Sequence, residues 1–303
     1  MEVERKGQTA LLHHGKIFAI GEIVTCTFLS IFHPYRMYFV RSFRPASWLA
    51  LVTLCLALNP AVRAADSVPP IPAAPFDFAN PKLLTGTLYE IGSNAEKVLY
   101  RFQRTATQAG HTVRVERKFT CPDGFVAAVE HVVYESGQFA SYDMKEFQAG
   151  VSGTIAIAPD PKNPARQKLF IGYTNGLTPP KGAAQTLPDN LVIDDTLYPF
   201  MLAHWDDLLK GHAVKFRFVS LEMKKTYGFR LVKTGQTTMH DHTHIQIKME
   251  PSNPFVTLAV NPLLFTVEKE GDHRMVSYTG RTTPRVKKGG AWKYLDAETV
   301  FDW

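Results

Sequence analysis

Apolar and polar residues alternate with a period of two along most of the chain beyond Leu83. In the segment 98–103, Val98, Tyr100 and Phe102 share one face, while Arg101 and Gln103 share the other. The same alternation sets Val113/Val115 against Arg114/Glu116, and Ala140/Tyr142/Met144 against Ser141/Asp143/Lys145. It sets Val214/Phe216/Phe218 against Lys215/Arg217, and it returns in Tyr227/Phe229/Leu231, Leu263/Phe265/Val267 and Val276/Tyr278. This pattern predicts strands with one dry and one wet face, as in antiparallel sheets. Turn signals at Pro122-Asp123-Gly124, Ser136-Gly137, Gly235 and Gly271-Asp272 separate them. Strands joined by short turns predict a meandering sheet, a sandwich or a barrel.

One segment breaks the alternation. Between Asp194 and Gly211, apolar residues fall at 197, 200, 201, 205, 208 and 209, one face of a 3.6-residue period. Acidic residues and an early proline open it, and Lys210-Gly211 close it. The expected class is therefore mainly β, with one amphipathic helix over residues 195–210 covering the sheet.

The N-terminal region follows neither pattern. Arg41 and Arg44 flank an apolar run from Trp48 to Leu58, followed by Asn59-Pro60 and the small residues Ala61, Ala64 and Ala65. This is the layout of a cleavable signal peptide. The run falls short of the ~20 residues needed to span a bilayer. Residues 37–64 are expected to be the signal, cut after Ala64, and residues 1–36 an over-extended start. The alternative is an uncleaved N-terminus acting as a membrane anchor, with Ile17–Phe32 apolar apart from Glu22. Neither Cys26 nor Cys55 follows a small residue, which argues against lipid attachment. The mature protein is expected in the periplasm or outside the cell. Residues 65–82 are proline-rich and predict a stiff linker, leaving 83–303 as a single β-rich domain.

Cleavage changes the charge. The first 64 residues hold seven basic and three acidic side chains, which leaves 27 basic and 25 acidic of the 34 and 28 in the whole chain. The net charge of +6 falls to about +2, and no basic stripe marks a nucleic-acid surface. Arg285-Val286-Lys287-Lys288 before Gly289-Gly290 predicts a solvated hairpin tip. Of three cysteines only Cys121 remains, so a core and not a disulfide must hold the domain.

Several groups carry candidate chemistry. His240, His242 and His244 alternate on one predicted strand, a spacing at which imidazoles can share a zinc ion. They also align with Gln246 and Lys248, opposite Ile245, Ile247 and Met249, which equally predicts a plain solvent-facing strand. Asp194-Asp195 and Asp206-Asp207 are read as helix-start acids. His131, Tyr142, Asp143 and Ser152 lie on neighbouring strands, but the surroundings of Ser152 lack the strand-to-helix elbow a nucleophilic serine uses. Cys121 lies at a strand-to-turn boundary and is read as a passive thiol. No catalytic residue is assigned. Trp205 on the helix, with Phe216, Phe218, Tyr227 and Phe229, predicts either plain core or the lining of an apolar groove.

Two stretches carry a resemblance. One is Val192–Gly211 followed by the strand 214–221. The other comprises Met249–Phe255, Asn261–Leu263, Ser277–Arg281 and the closing Asp296–Trp303. Over roughly 85–303 the pattern is similar to bacterial envelope proteins of the LolA-like half-barrel type, the periplasmic lipoprotein-carrier fold. The resemblance implies a curved antiparallel sheet, a half-barrel or open barrel, around an apolar cavity with a helical lid. It transfers no individual functional residue. The leading expectation is a non-enzymatic envelope protein that binds an apolar or amphipathic small molecule, lipid or acyl chain in a β-sheet groove. The alternatives are a metal-binding module through His240, His242 and His244, and a scaffold that meets another envelope protein.

Overall fold

The structure, a computed structural model, describes residues 76–176, 181–239, 241–253 and 261–303. The signal segment, the residues before it, the first part of the linker and His240 lie outside these. The alternation becomes one meander, antiparallel except for a two-residue edge strand that pairs in parallel. Its first eight strands are β1 (Leu83–Glu90), β2 (Val98–Ala109), β3 (Thr112–Thr120), β4 (Val126–Glu135), β5 (Gln138–Glu146), β6 (Val151–Asp160), β7 (Asn163–Thr174) and β8 (Lys181–Thr186). After the two-residue β9 (Leu191–Val192) come two helices, α1 (Asp194–Ala203) and α2 (Trp205–Leu209). Then follow β10 (Val214–Ser220), β11 (Lys225–Met239), β12 (His242–Pro251), β13 (Leu263–Glu268), β14 (Met275–Lys288) and β15 (Ala291–Asp302).

All fifteen strands belong to one open sheet, and the first and last strands pair at its centre. The β1–β15 register runs from Thr85 opposite Asp302 to Glu90 opposite Ala297, joining an early and a late half of the meander. β8 and β9 are left as the edges. The expected mainly β class, with few helices, is what the chain adopts. The sheet also curls. Val219 on β10 shares a core cluster with Ile155, Leu169 and Ile171 of β6 and β7, strands it does not pair with.

The expected single helix is two. Pro199 lies inside α1 and has no N–H to give, and His204 leaves helical geometry at φ −110° and ψ 20°. His204 closes α1 through its N–H to Met201 O, and its own carbonyl accepts from Leu208 N–H to open α2. The apolar face survives the break: Leu197, Phe200, Met201, Trp205 and Leu208 are all buried. They pack on Phe216, Leu231, Ile245, Ile247, Met249, Phe265 and Val267 from the late strands. The early strands form their own cluster around Val132, Tyr134, Tyr142 and Leu169.

The linker boundary also moves. Phe78 is buried, and its ring stacks on Tyr134 with centroids 3.8 Å apart. Phe76 meets Phe78 and Phe200 edge-on. The second half of the proline-rich segment is thus part of the core, because its two phenylalanines cap the gap between helix and sheet.

Candidate functional site

Two polar constructions stand on the inner side of the sheet. The first is built by the β14–β15 hairpin. Its turn at Gly289-Gly290 has φ of +60° and +80°, a backbone that favours glycine. Between Thr282 and Val286 the β14–β15 register shifts around the buried Pro284, a bulge that turns Arg285 inward. Arg285 is 9% exposed. Its backbone N–H donates to Glu146 Oε2 at 2.8 Å and its Nη1 to Glu146 Oε1 at 2.6 Å. Nη2 donates to the Tyr173 hydroxyl at 3.0 Å, and the guanidinium lies 4.6 Å from the Tyr294 ring centre. Glu222 stands 4.0 Å away. Burial pushes the Glu146 carboxyl up, opposed by the N–H and charge of Arg285, and burial pushes Tyr173 up as well.

Above Arg285 opens a cleft of about 930 Å³. Tyr173, Trp292, Tyr294 and Val151 give it aromatic and apolar walls, while Lys293, Glu222 and Asn175 supply polar groups. The sequence reading missed it. Lys287–Gly290 does form the expected exposed tip, but Arg285 is buried. The signals were Pro284, which interrupts the strand, and the closely spaced Trp292 and Tyr294 on its partner.

The second construction joins α1 to the sheet. Arg104 Nε and Nη2 donate to the two carboxylate oxygens of Asp195 at 2.8 and 3.2 Å, and the Tyr134 hydroxyl donates to the same carboxylate at 2.7 Å. Burial works against the charge on Asp195, yet Arg104 and Tyr134 hold its carboxyl below the usual range. Beside it, Arg117 Nη1 stands 2.7 Å from Glu130 Oε2, a close ion pair without the alignment of a good hydrogen bond. Burial, reinforced by Asp194 and Asp195 and opposed by Arg117, pushes the Glu130 carboxyl up to about 7. Burial raises Asp194 too, against the pull of Arg117. Asp194 nevertheless keeps accessible surface, although Arg117, Glu130, Tyr142 and Tyr278 all lie within electrostatic reach. Reading Asp194 and Asp195 only as helix-start acids was too narrow, because both answer to arginines 91 and 77 residues away or more.

Of the predicted groove residues, Trp205, Phe216, Phe218 and Phe229 pack in the cluster under the helices, and Tyr227 lies opposite Phe218 on the neighbouring strand. Trp205 and Phe216 are buried, while Phe218, Tyr227 and Phe229 are half-buried. Phe216 lies 5.3 Å from Phe200 of α1 and 6.2 Å from Phe229, and Phe218 lies 5.9 Å from Phe229. The protein's own side chains occupy this part of the inner face.

The two described histidines of the predicted set, His242 and His244, lie on one strand but differ in burial. His242 is exposed beside a pocket of about 500 Å³ lined by Asp241, Glu268, Glu270, Asp272 and Arg274. His244 is 5% exposed, against the expectation of a wet strand face. It sits mid-sheet, with Thr237 opposite on β11 and Glu268 opposite on β13, so neighbours flank it on both sides. Among the described residues no three histidine, cysteine or acidic side chains form a metal-binding group.

His131 and Asp143 are cross-strand partners, but Tyr142 is buried on the other face, and Ser152 pairs with Lys145. His131 Nε2 instead approaches Glu116 at 3.4 Å. Asp207 sits beside His212 at 3.3 Å near the end of α2. Cys121 is a half-buried free thiol that accepts from Gln148 Nε2 at 3.0 Å, and burial pushes it up, away from the thiolate.

Fold and site together define an open, curled β-meander with a polar-floored aromatic cleft at one end. No family model, curated protein or solved structure matches the chain.

Proposed function

We propose that this chain is an exported, non-catalytic binding protein of the cell envelope that takes an amphipathic molecule, a lipid or acylated compound, in the cleft above Arg285. The observation that carries the reading is Arg285 itself. It is a nearly buried cation, fixed by Glu146, Tyr173 and Tyr294, at the floor of a cleft with aromatic and apolar walls. A few fixed polar groups among apolar walls are the usual composition of a small-molecule site. Buried acyl carbons contribute about 0.8 kcal/mol per methylene, so about ten give roughly micromolar binding. The polar end of the ligand is assigned to Lys293, because Glu146 already answers the charge of Arg285. The export half of the proposal rests on the Arg41–Ala64 layout.

Native mass spectrometry of protein purified from envelopes tests the binding half. The expected result is a bound mass that is lost from Trp292→Ala and Tyr294→Ala proteins and retained in Trp205→Phe. Ligand-free parent protein, or a bound mass indifferent to the two cleft substitutions, overturns it.

A further inference from the structure

In this meander the loops alternate between two ends of the sheet. The loops after β1, β3, β5, β7, β10, β12 and β14 share one end, and the cleft mouth is among them. Nine large apolar side chains stand exposed among the described residues. Six belong to this end: Ile91, Phe125, Phe147 and Met223 in its loops, Leu264 at the start of β13, and Tyr294 near the hairpin tip. Ile91, Phe125, Phe147 and Met223 are each about half exposed or more, at 49, 50, 52 and 56%. A side chain of this size at a loop tip gains nothing from the fold it leaves. Four of them on separate loops at one end form a set that requires another explanation.

The charge is divided between the same two ends. Within three residues of its loops the apolar end carries nine lysines, among them Lys224, Lys225, Lys287, Lys288 and Lys293, against the six acids Glu90, Glu96, Asp123, Glu146, Glu222 and Glu250, with Lys97 already paired to Glu90 at 2.7 Å. On the same basis the opposite end leans acidic, with Glu135, Asp160, Asp206, Asp207, Asp241, Glu268, Glu270, Asp272 and Asp302 against Lys82, Arg114, Lys162, Lys210, Lys215, Lys269 and Arg274. Apolar tips set among lysines match the interface of a bilayer that bears anionic headgroups: the rings enter the headgroup–acyl boundary and the ammonium groups stay with the phosphates. A protein partner would more commonly meet one contiguous apolar patch, not tips spread over separate loops.

We infer that the loop end carrying Ile91, Phe125, Phe147 and Met223 docks onto anionic lipid bilayers, with the lysine-tipped β14–β15 hairpin supplying the electrostatic attraction. The inference stands on the loop tips and the charge division, and does not require the cleft to hold a ligand.

Hydrogen-exchange mass spectrometry of the full chain, with and without vesicles, tests it. The vesicles are phosphatidylglycerol with phosphatidylethanolamine in one arm and phosphatidylcholine alone in the other. Vesicle-dependent slowing is expected at 91–97, 121–125, 147–150 and 221–225, with none at 136–137 or 241–242, and more strongly in the anionic arm. Slowing confined to the opposite end, or absent from all four loops, overturns the inference. Because an apolar N-terminal segment can bind vesicles by itself, loop protection and not total binding is the deciding readout. In a Phe125→Ser/Phe147→Ser/Met223→Ser protein the protection is expected to disappear while the melting temperature holds, since all three side chains are exposed. Unchanged protection in that protein also overturns it. A Trp292→Ala protein, emptied of cleft ligand, is expected to keep full loop protection, which separates failure of docking from failure of the binding proposal.

Discussion

Arg104 Nε stands 2.8 Å from Asp195 Oδ1, tying β2 to the first turn of α1 across 91 residues of sequence. Both side chains are nearly out of solvent, at 7 and 2% exposure. Such a pair is tolerable only if its remaining donors and acceptors are met. They are met here: Nη1 donates to Pro81 O, Nη2 to Phe78 O, and Tyr134 donates to the carboxylate. One guanidinium thus gathers the entering chain, the sheet and the helix. Its role is to fix where the helix sits, since apolar packing alone leaves an amphipathic helix free to slide.

Removing one partner should be costly. Asp195→Ala leaves a buried guanidinium and a buried phenol without their acceptor, and is expected to destabilise the protein by about 3–5 kcal/mol. For a domain of this size that is roughly 10 °C in melting temperature. The double substitution Arg104→Met/Asp195→Leu should cost less than Asp195→Ala alone, because it removes both charges together. Thermal and urea unfolding of the three proteins decide it. A double variant worse than the single one would mean that the pair stabilises outright and does more than position the helix.

Charge bookkeeping around α1 predicts a pH effect. Arg104 and Arg117 face three carboxyls, Glu130, Asp194 and Asp195, so the network holds an excess acid. Burial makes Glu130 the group that keeps a proton, at about 7 against an ordinary 4.5. Its folded-state value lies above its unfolded one. Its contribution is therefore fully present below pH 4.5 and is lost as pH rises through about 7. The slope is at most about 1.4 kcal/mol per pH unit. Asp195 has the opposite sign: its contribution is present above about pH 4 and is lost only as acid protonates it. Urea unfolding between pH 5.5 and 8 should thus show the parent losing stability as pH rises. Glu130→Gln, which balances two arginines against two aspartates, should flatten that profile. Parallel profiles would remove Glu130 from the account.

How much of this was legible beforehand differs from element to element. Strands with a strict period of two, such as that of Tyr100 and Phe102, could be read directly, since only a strand buries alternate residues. The helix face at Leu197, Phe200, Met201, Trp205 and Leu208 was equally legible, but its break at His204 was not. A break that keeps every apolar contact leaves no trace in the periodicity. The ionic network was hidden for a different reason. Arg104 and Glu130 occupy dry-face positions on their strands, but which carboxylate answers which arginine depends on contacts 91 residues apart. The cleft was hidden because a bulge at Pro284, and not the alternation, turns Arg285 inward. The solvent-facing assignment of His244 rested on its alternation with Gln246 and Lys248, but the period gives only the face, and a residue of that face flanked by two strands can still be covered.

Phe78 offers a test of the moved domain boundary. Its ring is 5% exposed and stacks on Tyr134, and its carbonyl accepts from Arg104. Phe78→Ala is expected to cost about 3–5 kcal/mol, the range for a buried aromatic ring. A protein beginning at Leu83 should lose at least as much, and should also slow less in hydrogen exchange at α1. If the protein beginning at Leu83 melts with the parent, the proline-rich segment is only a linker.

The junction of the two halves of the meander rests on a glycine. A methyl group at Gly86 would lie 2.8 Å from the Val300 carbonyl oxygen and 3.1 Å from Phe301 Cδ1. Glycine weakens a strand unless a close approach requires it, and β1 here runs against β15 at that distance. Gly86→Ala must therefore push backbone from backbone at the central pairing of the sheet, with an expected cost of about 2–3 kcal/mol. Gly153 looks equally tight, since its methyl group would lie 2.8 Å from Leu221 Cδ1. That obstacle, however, is the far end of a flexible side chain beyond β10, which can rotate aside. Gly153→Ala should cost under about 1 kcal/mol. Urea midpoints of the two single variants compare them directly. The contrast isolates the β1–β15 seam: equal losses would mean that contact between the curled ends of the sheet is as unyielding as its hydrogen-bonded centre. A loss confined to Gly86→Ala would place the weak point of the fold where its first and last strands meet.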